Sequence, residues 1–550
     1  MRTTNISSVQ TFGRPAGRAD ASRSASGHTV AAATLLLFLL AAFPILHSKV
    51  PALGDYINHL ARMYVIADGE RDPLLSRFYG VEWKLLPNLA MDLIVPPFVD
   101  VVGIYWAGRL FVLLYMALIL GGVQAVHYAL FRRLSLGPLA AVLFLYSISS
   151  AVGLLNYLFG LGLALWGFAA WIGLRQAHPV LRLFVACGFV LALFLCHLAA
   201  LGIYGEAVLG FEAWCWRRAE ALSPHIIDGI GERRQPGPYR VCDLAVLVLP
   251  FLLVPVLLAA SPTGEAALRN TVVWSLAAKG RGVWQVARIY SQDYDLATAL
   301  LIGGCAIWAQ RRGWVRLHPA GWFVLAVAVP VYLAVPTDMM SSVGVDMRLP
   351  LGIVLIVAGC LAWNLPTAAR RRAFLAVLGV LALLRVAGVE AAFERMNGVT
   401  ADFERSLALI PRGSRVLIAK VAAPLRRDPL MDTLEFLPCL AIIERGSLVS
   451  LEFSHPAQQV LTVKPPYRTI AGGYDDAPPT VEELLRPPEQ SPNAPSGRIY
   501  WADWPRTYDY VYVFLTSAET PNPAPDRLRL VYEGRGFQLY QIHSAPNSAS

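Results

Sequence analysis

Apolar runs of roughly twenty residues recur along most of this chain, separated by short polar connections. A helix must offer about twenty apolar residues to cross a hydrocarbon core of ~30 Å, so the pattern predicts a mainly α polytopic membrane protein. We expect about eleven transmembrane helices. Their predicted ranges are 29–47, 103–130, 136–153, 155–174, 181–196, 198–215, 242–260, 294–310, 318–335, 348–366 and 373–390.

The pattern changes after the last of these runs. From Ser414 onward, short runs rich in β-branched and aromatic residues alternate with polar and Pro-rich turns, which is typical of strands. These runs are RVLIAK, LAIIERGSLVSL, YDYVYVFL, LRLVYEG and FQLYQI. The chain is therefore predicted to have three parts: a disordered tail (1–28), a transmembrane domain (29–391) with a long first loop (48–102), and a small α/β domain (392–550).

Composition excludes an ordinary soluble enzyme. Of the 550 residues, 56% are hydrophobic and 15% are charged, whereas soluble domains carry about a quarter charged residues. The seven cysteines show no paired metal-ligand spacing, and most lie in apolar runs, where cysteine acts as a small hydrophobe. Neither a disulfide framework nor a cysteine-based zinc site is predicted.

The placement of positive charge predicts the orientation. With alternate connections counted as cytoplasmic, every basic doublet or triplet between spans falls on that side, as the positive-inside rule requires. These clusters include Arg132–Arg133, Arg217–Arg218, Arg311–Arg312 and Arg370–Arg372. We therefore expect a cytoplasmic N-terminus. The first loop, a middle loop (261–293), a short loop (336–347) and the C-terminal domain are then external.

The first external loop contains the candidate catalytic residues. In GDYINHLAR, Asp55, His59 and Arg62 fall at positions i, i+4 and i+7, so a helix would present a carboxylate, an imidazole and a guanidinium on one face. We take Asp55 and His59 as catalytic candidates and Arg62 as a substrate-binding candidate. The alternatives are that Asp55 only caps the helix, and that His59 and Arg62 are simply solvated.

Two further substrate-binding candidates are Asp92 and His197. Asp92 lies in a polar-interrupted apolar stretch, 86–98, which is too short to span and is expected to lie along or dip into the interface. His197 lies where two short spans meet, and ionisable residues inside membranes are candidates for functional sites. Asp92 could face a cavity, and His197 could also sit in a wet hairpin.

The middle and short external loops supply cations on the side where the charge rule disfavours them. Lys279, Arg281 and Arg288 alternate with aromatic residues, which suits an anionic headgroup or a diphosphate at the membrane surface. The alternative is an amphipathic helix on bulk anionic lipid. Asp346 and Arg348 stand at the mouth of the tenth predicted span, where they could pair, or Arg348 could reach a phosphate. Nucleic acid is excluded by the side of the membrane.

This arrangement resembles the GT-C superfamily of polytopic glycosyltransferases, which use polyprenyl-phosphate-linked sugars. The resemblance covers roughly residues 29–391. It rests on the architecture and on the segments GDYINHLAR, PNLAMDLIVPPF, NYLFGLGLAL, CHLAALGIYGE and VDMRLP, which look like those of bacterial membrane proteins near this superfamily. It implies a bacterial inner-membrane protein with the first-loop acid, Asp55, at the transfer centre. The family's acidic pair is absent, because Tyr56 follows Asp55.

The first functional hypothesis is therefore a glycosyltransferase on the external face. It would move a sugar from a polyprenyl-phosphate donor to a glycan, lipid or protein acceptor, with Asp55 as general base. Membrane lipids are the other expected partner. No cofactor is predicted with certainty, and a divalent metal stays open. The alternatives are a transporter or flippase of lipid-linked intermediates and an inactive scaffold for envelope assembly.

Overall fold

A computed structural model describes eight stretches of the chain. They are residues 27–221, 241–269, 272–339, 342–421, 429–473, 476–490, 497–517 and 519–543. Residues 1–26, which form nearly all of the predicted disordered tail, lie outside the described residues.

The N-terminal two thirds of the chain is helical. Its helices are α1 Gly27–His47, α2 Tyr56–Asp68, α3 Pro73–Phe78, α4 Ala90–Ile94, α5 Val99–Val102, α6 Ile104–Phe131, α7 Ile148–Ala151, α8 Leu155–Gly173, α9 Pro179–Cys196, α10 Leu198–Ala221, α11 Val241–Val248, α12 Leu253–Ala259, α13 Pro262–Arg269, α14 Leu276–Trp284, α15 Gln292–Arg311, α16 Pro319–Ala334, α17 Leu349–Cys360 and α18 Ala368–Leu407. The C-terminal part adds α19 Pro429–Phe436, α20 Leu440–Arg445, α21 Val481–Leu485 and α22 Trp504–Thr507.

Strands are few and short. They are β1 Tyr79–Val81, β2 Val315–Leu317, β3 Leu361–Trp363, β4 Arg415–Lys420, β5 Leu448–Val449, β6 Leu461–Val463, β7 Tyr510–Phe514, β8 Leu528–Gly534 and β9 Phe537–Ile542. β2 pairs with β3 in the helical part of the chain. Five strands form the C-terminal sheet, in the order β5-β4-β7-β9-β8.

The prediction of a polytopic helical membrane protein is confirmed. Within the described residues, seven helices are long and apolar enough to cross a bilayer, and α16 is a shorter apolar helix. The seven are Gly27–His47, Ile104–Phe131, Leu155–Gly173, Pro179–Cys196, Leu198–Arg218, Cys242–Ala259 and Ala368–Leu407.

Two of the other predicted spans differ from regular spanning helices, whereas 294–310 and 318–335 coincide with α15 and α16. The predicted span 136–153 is a 3₁₀ helix, Gly137–Phe144, followed by the four-residue α7. Its side chains are mostly buried among the neighbouring helices, where irregular backbone is tolerated at membrane depth. The predicted span 348–366 is the twelve-residue α17, which ends in strand β3. Apolar composition alone did not separate these buried segments from spans.

A small mixed α/β domain follows the bundle, as predicted. β4 runs parallel to both β5 and β7, and β9 joins β7 and β8 in antiparallel pairs. One predicted strand is wrong in its first half, because LAIIER forms α20 with Leu440, Ala441 and Ile442 buried. Gly446, at φ +59°, ends that helix in the left-handed conformation that glycine favours.

Helix α18 joins the two parts of the molecule without a break. It has 40 residues, so it is about 60 Å long, and the predicted boundary at 391/392 falls in its interior. Near its C-terminus, Phe403 packs on the sheet, with ring centroids 4.6 Å from Tyr512 and 5.2 Å from Phe537. We call the end of the bundle that carries the first loop and this domain the domain end.

The first loop is also joined to the C-terminal domain. β1, in the loop, pairs antiparallel with β6 of the domain. In α2, the buried Asn58 donates to the Leu451 carbonyl oxygen (3.1 Å) and accepts from the Phe453 amide (2.9 Å). Loop and domain therefore share backbone hydrogen bonds, which fixes the position of α2 under the domain.

Candidate functional site

A cavity of about 530 Å³ opens at the domain end, between the first loop, the bundle and the C-terminal domain. Its lining contains both polar and apolar side chains. The polar lining residues include Asp55, His59, Asn88, Asn156, His197, Glu206, Ser342, Arg348, Gln458 and Gln459. The apolar lining residues include Leu198, Leu201, Phe251, Val254, Leu258, Val331 and Val335. Elements far apart in sequence thus contribute to a single site.

Asp55 is held in the cavity wall by the backbone before it. The Gly54 amide donates to the Ala151 carbonyl oxygen (2.8 Å), and the Asp55 amide donates to the Val152 carbonyl oxygen (3.0 Å). The two segments can approach closely because each has a glycine at the contact, Gly54 in one and Gly153 in the other. A Cβ atom on Gly153, whose φ is +85°, would lie 2.6 Å from the Asp55 nitrogen. These two segments together fix where α2 begins.

The helix-cap interpretation of Asp55 does not account for its side chain. Asp55 occupies the N-cap position of α2, but its side chain makes no capping hydrogen bond. Its backbone oxygen accepts from the His59 amide (3.0 Å) as the first helical hydrogen bond. The half-buried carboxylate lies in the cavity lining instead.

His59 lies one turn further along α2 and is 7% exposed. Its ring meets Phe453 of the C-terminal domain edge to face, with centroids 5.5 Å apart. Its Nδ1 is buried and has no hydrogen-bond partner among the described residues. Burial, with the charge of Arg62 as the smaller cause, holds the pKa of His59 well below its usual 6.5. The imidazole is therefore neutral at physiological pH.

His197 is neutral as well and faces the cavity from the junction of α9 and α10. Its Nδ1 accepts from the Ala199 amide (3.1 Å), so the ring hydrogen is on Nε2. Burial, and then the charge of Arg348, lower the pKa of His197 to about 3. His197 thus offers the cavity a neutral hydrogen-bond donor.

Arg348 supplies the cavity's positive charge. It is the only lysine or arginine in the lining formed by the described residues. Its guanidinium donates to the carbonyl oxygens of Val343 (3.0 Å) and Gly344 (2.7 Å). Its own carbonyl oxygen accepts from the Tyr157 hydroxyl at 2.5 Å. The short loop and α8 therefore orient the side chain at the start of α17.

Glu206 was missed by the sequence analysis. It lies in α10, is 8% exposed, and has a buried Oε2 without a hydrogen-bond partner among the described residues. The signal was present, because an acid inside an apolar span, nine positions after His197, is a candidate for a functional residue.

The domain segment 453–459 was also missed as a part of the site. Phe453, Ala457, Gln458 and Gln459 line the cavity. The segment is held in place by Thr263, which donates to the Ala457 carbonyl oxygen at 2.5 Å, and by an internal bond from the His455 amide to Gln459 Oε1 (2.8 Å). The C-terminal domain therefore forms one wall of the cavity.

Arg62 and Asp92, which were predicted to bind substrate, are not in the lining of this cavity. The Arg62 side chain is fully buried and makes two parallel hydrogen bonds to Asp92, of 2.9 and 3.0 Å. The pair joins α2 to α4. The two charges neutralise each other, which gives the i+7 position of the helix a structural role, while Arg62 Nη1 is buried without a hydrogen-bond partner among the described residues.

Asn156 holds the same segment from the other side. Its amide nitrogen donates to the Asn88 carbonyl oxygen (2.8 Å), and its Oδ1 accepts from the Met91 amide (2.7 Å). The stretch 86–98 is thereby attached to the start of α8, with Asn88 in the cavity lining.

The middle-loop cations are likewise outside the cavity lining. Lys279 is buried, forms an ion pair with Asp346 at 2.9 Å, and donates to the Val335 carbonyl oxygen. Arg281 is exposed on α14, and Arg288 is half-buried beyond the end of that helix. Of the five candidates Lys279, Arg281, Arg288, Asp346 and Arg348, the structure brings only Arg348 to the cavity that Asp55 lines.

The cavity residues do not form a metal-ligand cluster within the described part of the chain. Asp55, His59, His197 and Glu206 do not bring three ligand atoms within 4.8 Å of one another. The arrangement instead combines a carboxylate that can accept a proton, donors that can hold an anion, and an apolar wall that can hold hydrocarbon.

The architecture is that of a polytopic helical membrane protein with a C-terminal α/β domain. No protein-family model matches the chain, and no curated protein matches its sequence. The crystal structure of ArnT from Cupriavidus metallidurans in the apo state aligns with a TM-score of 0.44 and 11% identity, covering 94% of this chain and 97% of that chain. The structure of ArnT from the same organism bound to undecaprenyl phosphate aligns with a TM-score of 0.45, 12% identity and the same coverage.

Proposed function

We propose that this protein is a membrane glycosyltransferase that moves a sugar from a polyprenyl-phosphate donor to a glycan, lipid or protein acceptor. The observation that carries the proposal is the composition of the cavity. It places Asp55, the neutral His197 and the cationic Arg348 around one space that has an apolar wall. A donor of this kind has a hydrocarbon chain, a phosphate and a sugar. It needs an apolar surface for the chain, hydrogen-bond donors for the phosphate and a base near the sugar, side by side.

The apolar wall and Arg348 would bind the two ends of the donor's lipid part. The wall between α10, α12 and α16 suits a polyprenyl chain that enters from the bilayer. The guanidinium of Arg348 and the Nε2 hydrogen of His197 suit the phosphate. Negative charge on the phosphate increases as the glycosidic bond breaks, so donors fixed in a water-poor cavity stabilise the transition state more than the ground state.

Asp55 would act as the general base. The acceptor hydroxyl attacks the anomeric carbon and its proton passes to the Asp55 carboxylate, while the bond between that carbon and the phosphate oxygen breaks and its electron pair leaves with the phosphate. A positioned base contributes about 10²–10⁴-fold to the rate. His59 would orient Asp55 or the acceptor as a neutral ring.

The C-terminal domain would present the acceptor. Its segment 453–459 contributes to the cavity lining and carries amide side chains, Gln458 and Gln459, that suit hydroxyl-rich molecules. We place the reaction on the external face of a bacterial inner membrane. There the donor would be a lipid-linked sugar, because nucleotide sugars are made in the cytoplasm.

The test compares lipid-linked sugars and envelope glycans, by mass spectrometry, in cells that lack the protein and in cells restored with one of three variants at equal abundance. The variants are wild type, Asp55→Asn and the control Asp68→Asn. Asp68 lies on the same helix and pairs with Arg71 (3.3 Å) outside the cavity. We expect Asp55→Asn to behave like the null, with loss of one sugar addition and accumulation of its donor, while Asp68→Asn behaves like wild type.

Full rescue by Asp55→Asn would overturn the assignment of the base. A null strain that accumulates donor on the cytoplasmic side, with Asp55→Asn restoring it, would instead point to a flippase.

A further inference from the structure

Three metal-ligating side chains meet at the domain end, apart from the cavity. His47 is the last residue of α1, and Glu390 and Glu394 lie one turn apart on α18. The ligand atoms of these three side chains all lie within 4.8 Å of one another. The closest pair is His47 Nδ1 and Glu390 Oε1, at 2.5 Å. An imidazole and two carboxylates therefore converge where α1 ends beside the interior of α18.

The charge at this cluster is not balanced by a fixed cation. No lysine or arginine nitrogen of the described residues lies within 4 Å of the Glu390 or Glu394 carboxylate. Lys49, two residues after His47, pairs with Glu404 at 2.5 Å instead. The C-terminus of α1 adds the partial negative charge of its carbonyl groups. The local field therefore favours a bound cation.

A second observation concerns the inner oxygen of Glu390. Its Oε2 is buried and has no hydrogen-bond partner among the described residues. A carboxylate oxygen removed from water without a donor is costly, and a metal ion on the same carboxylate would compensate that cost. Glu390 thus has one carboxylate oxygen beside His47 and one without a donor.

We propose that His47, Glu390 and Glu394 bind a divalent transition-metal ion, for which zinc fits the donor set best, and that the ion ties the first span to the last. Zinc takes imidazole nitrogen and carboxylate oxygen at about 2.0–2.2 Å and completes its shell with water. Calcium requires six to eight oxygen ligands. Ligand atoms of tetrahedral zinc lie about 3.4 Å from one another. Binding would therefore separate His47 Nδ1 and Glu390 Oε1, which lie 2.5 Å apart, and would draw the exposed Glu394 carboxylate inwards.

The ion would also fix the chain leading to Asp55, since His47 is eight residues before it. The proposal concerns metal binding by itself and does not depend on glycosyl transfer.

The experiment measures zinc in the purified full-length protein in nanodiscs, after stripping with a chelator and reloading. We expect wild type to hold one zinc ion per chain by elemental mass spectrometry. Glu394→Gln and His47→Gln should bind zinc more than about a hundredfold more weakly, because loss of an outer-shell partner alone costs 10–100-fold. The control Glu404→Gln, on the same helix but paired with Lys49, should bind as wild type does.

Added zinc should also raise the Tm of wild type and leave that of Glu394→Gln unchanged. Since Glu394 is exposed, its substitution keeps the fold. Wild type that retains no zinc above the level of Glu394→Gln, or Glu394→Gln that keeps wild-type affinity, would overturn the proposal. Neither result bears on transfer at Asp55.

Discussion

Individual charged residues in this protein divide into two kinds that look alike in sequence. Lys279 and Asp346 neutralise each other in a buried ion pair at 2.9 Å, and Arg62 and Asp92 do the same. Arg348 is also buried, but it lies in the cavity lining. A buried charge is costly unless another group stabilises it. In the first kind that group is a charged side chain of the protein, whereas a residue of the second kind lines the cavity in which we propose that the phosphate binds.

The first kind can be tested with Lys279. Lys279→Met leaves the Asp346 carboxylate buried without its cation, and breaking such a pair costs about 3–5 kcal/mol. The double variant Lys279→Met/Asp346→Leu removes both charges and should recover most of this loss. The measurement is the apparent Tm and urea midpoint of the purified protein.

Additive destabilisation, with the double variant worse than Lys279→Met, would contradict an internal pair. Lys279 would then again be a candidate for binding an anion.

At the scale of elements, the start of α2 depends on a close contact between two backbone segments. Gly54 and Gly153 allow the chain at 53–55 to hydrogen-bond with the chain at 151–152. Tyr290 of the middle loop donates to the Ala52 carbonyl oxygen at 2.6 Å from a third direction. The position of the Asp55 carboxylate is therefore set by elements that carry no catalytic group.

Gly153→Ala should reduce transfer activity by about 10²-fold, because a shift of about 1 Å in a catalytic group has an effect of that size. The added Cβ would lie 2.6 Å from the Asp55 nitrogen, and φ of +85° is unfavourable for alanine. Activity is measured as sugar transferred per enzyme, together with the Tm.

Gly188→Ala on α9 is the matched control, since its Cβ meets nothing within 4 Å. Equal activity of the two variants would show that this contact does not position Asp55.

At the scale of the whole molecule, the C-terminal domain is attached to the first loop through buried groups. Glu452, between Leu451 and Phe453, is buried at this junction. Burial raises the pKa of Glu452 well above its usual 4.5, although the charge of Arg62 opposes the rise. The folded protein therefore keeps this carboxyl protonated at pH values where the unfolded chain ionises it.

The raised pKa makes the stability of the folded protein depend on pH in a definite direction. The stability that the protonated carboxyl contributes is fully present below pH 4.5 and is lost as the pH rises through the folded-state pKa. Glu452→Gln should therefore match wild type near pH 4.5 and have a Tm higher by about 2 °C or more at pH 8.

The comparison is a pair of thermal unfolding series over that pH range, with Glu482→Gln on the exposed face of α21 as control. A Tm difference that shrinks as the pH rises would contradict a raised pKa.

The sequence predicted the elements whose residues show one simple pattern. Long apolar runs correctly gave α1, α6, α8, α9, α10 and the first half of α18, and alternating β-rich runs gave β4, β7, β8 and β9. The prediction of a span at 136–153 and that of a strand at LAIIER failed. These segments are apolar for a reason other than crossing the membrane or pairing in a sheet. Both are buried by neighbouring elements, and apolar composition does not distinguish burial in protein from burial in lipid or in a sheet.

By itself, the sequence determined the class of molecule. The length of an apolar run that spans a bilayer and the alternation of side chains along a strand are both properties of residues that are close together in sequence. It also supplied the residue types of the cavity, including Asp55, His197 and Arg348. Only the tertiary structure decided which charges face that space. Whether Lys279 or Arg348 meets a substrate depends on a partner from a distant segment, and local spacing carries no information about such a partner.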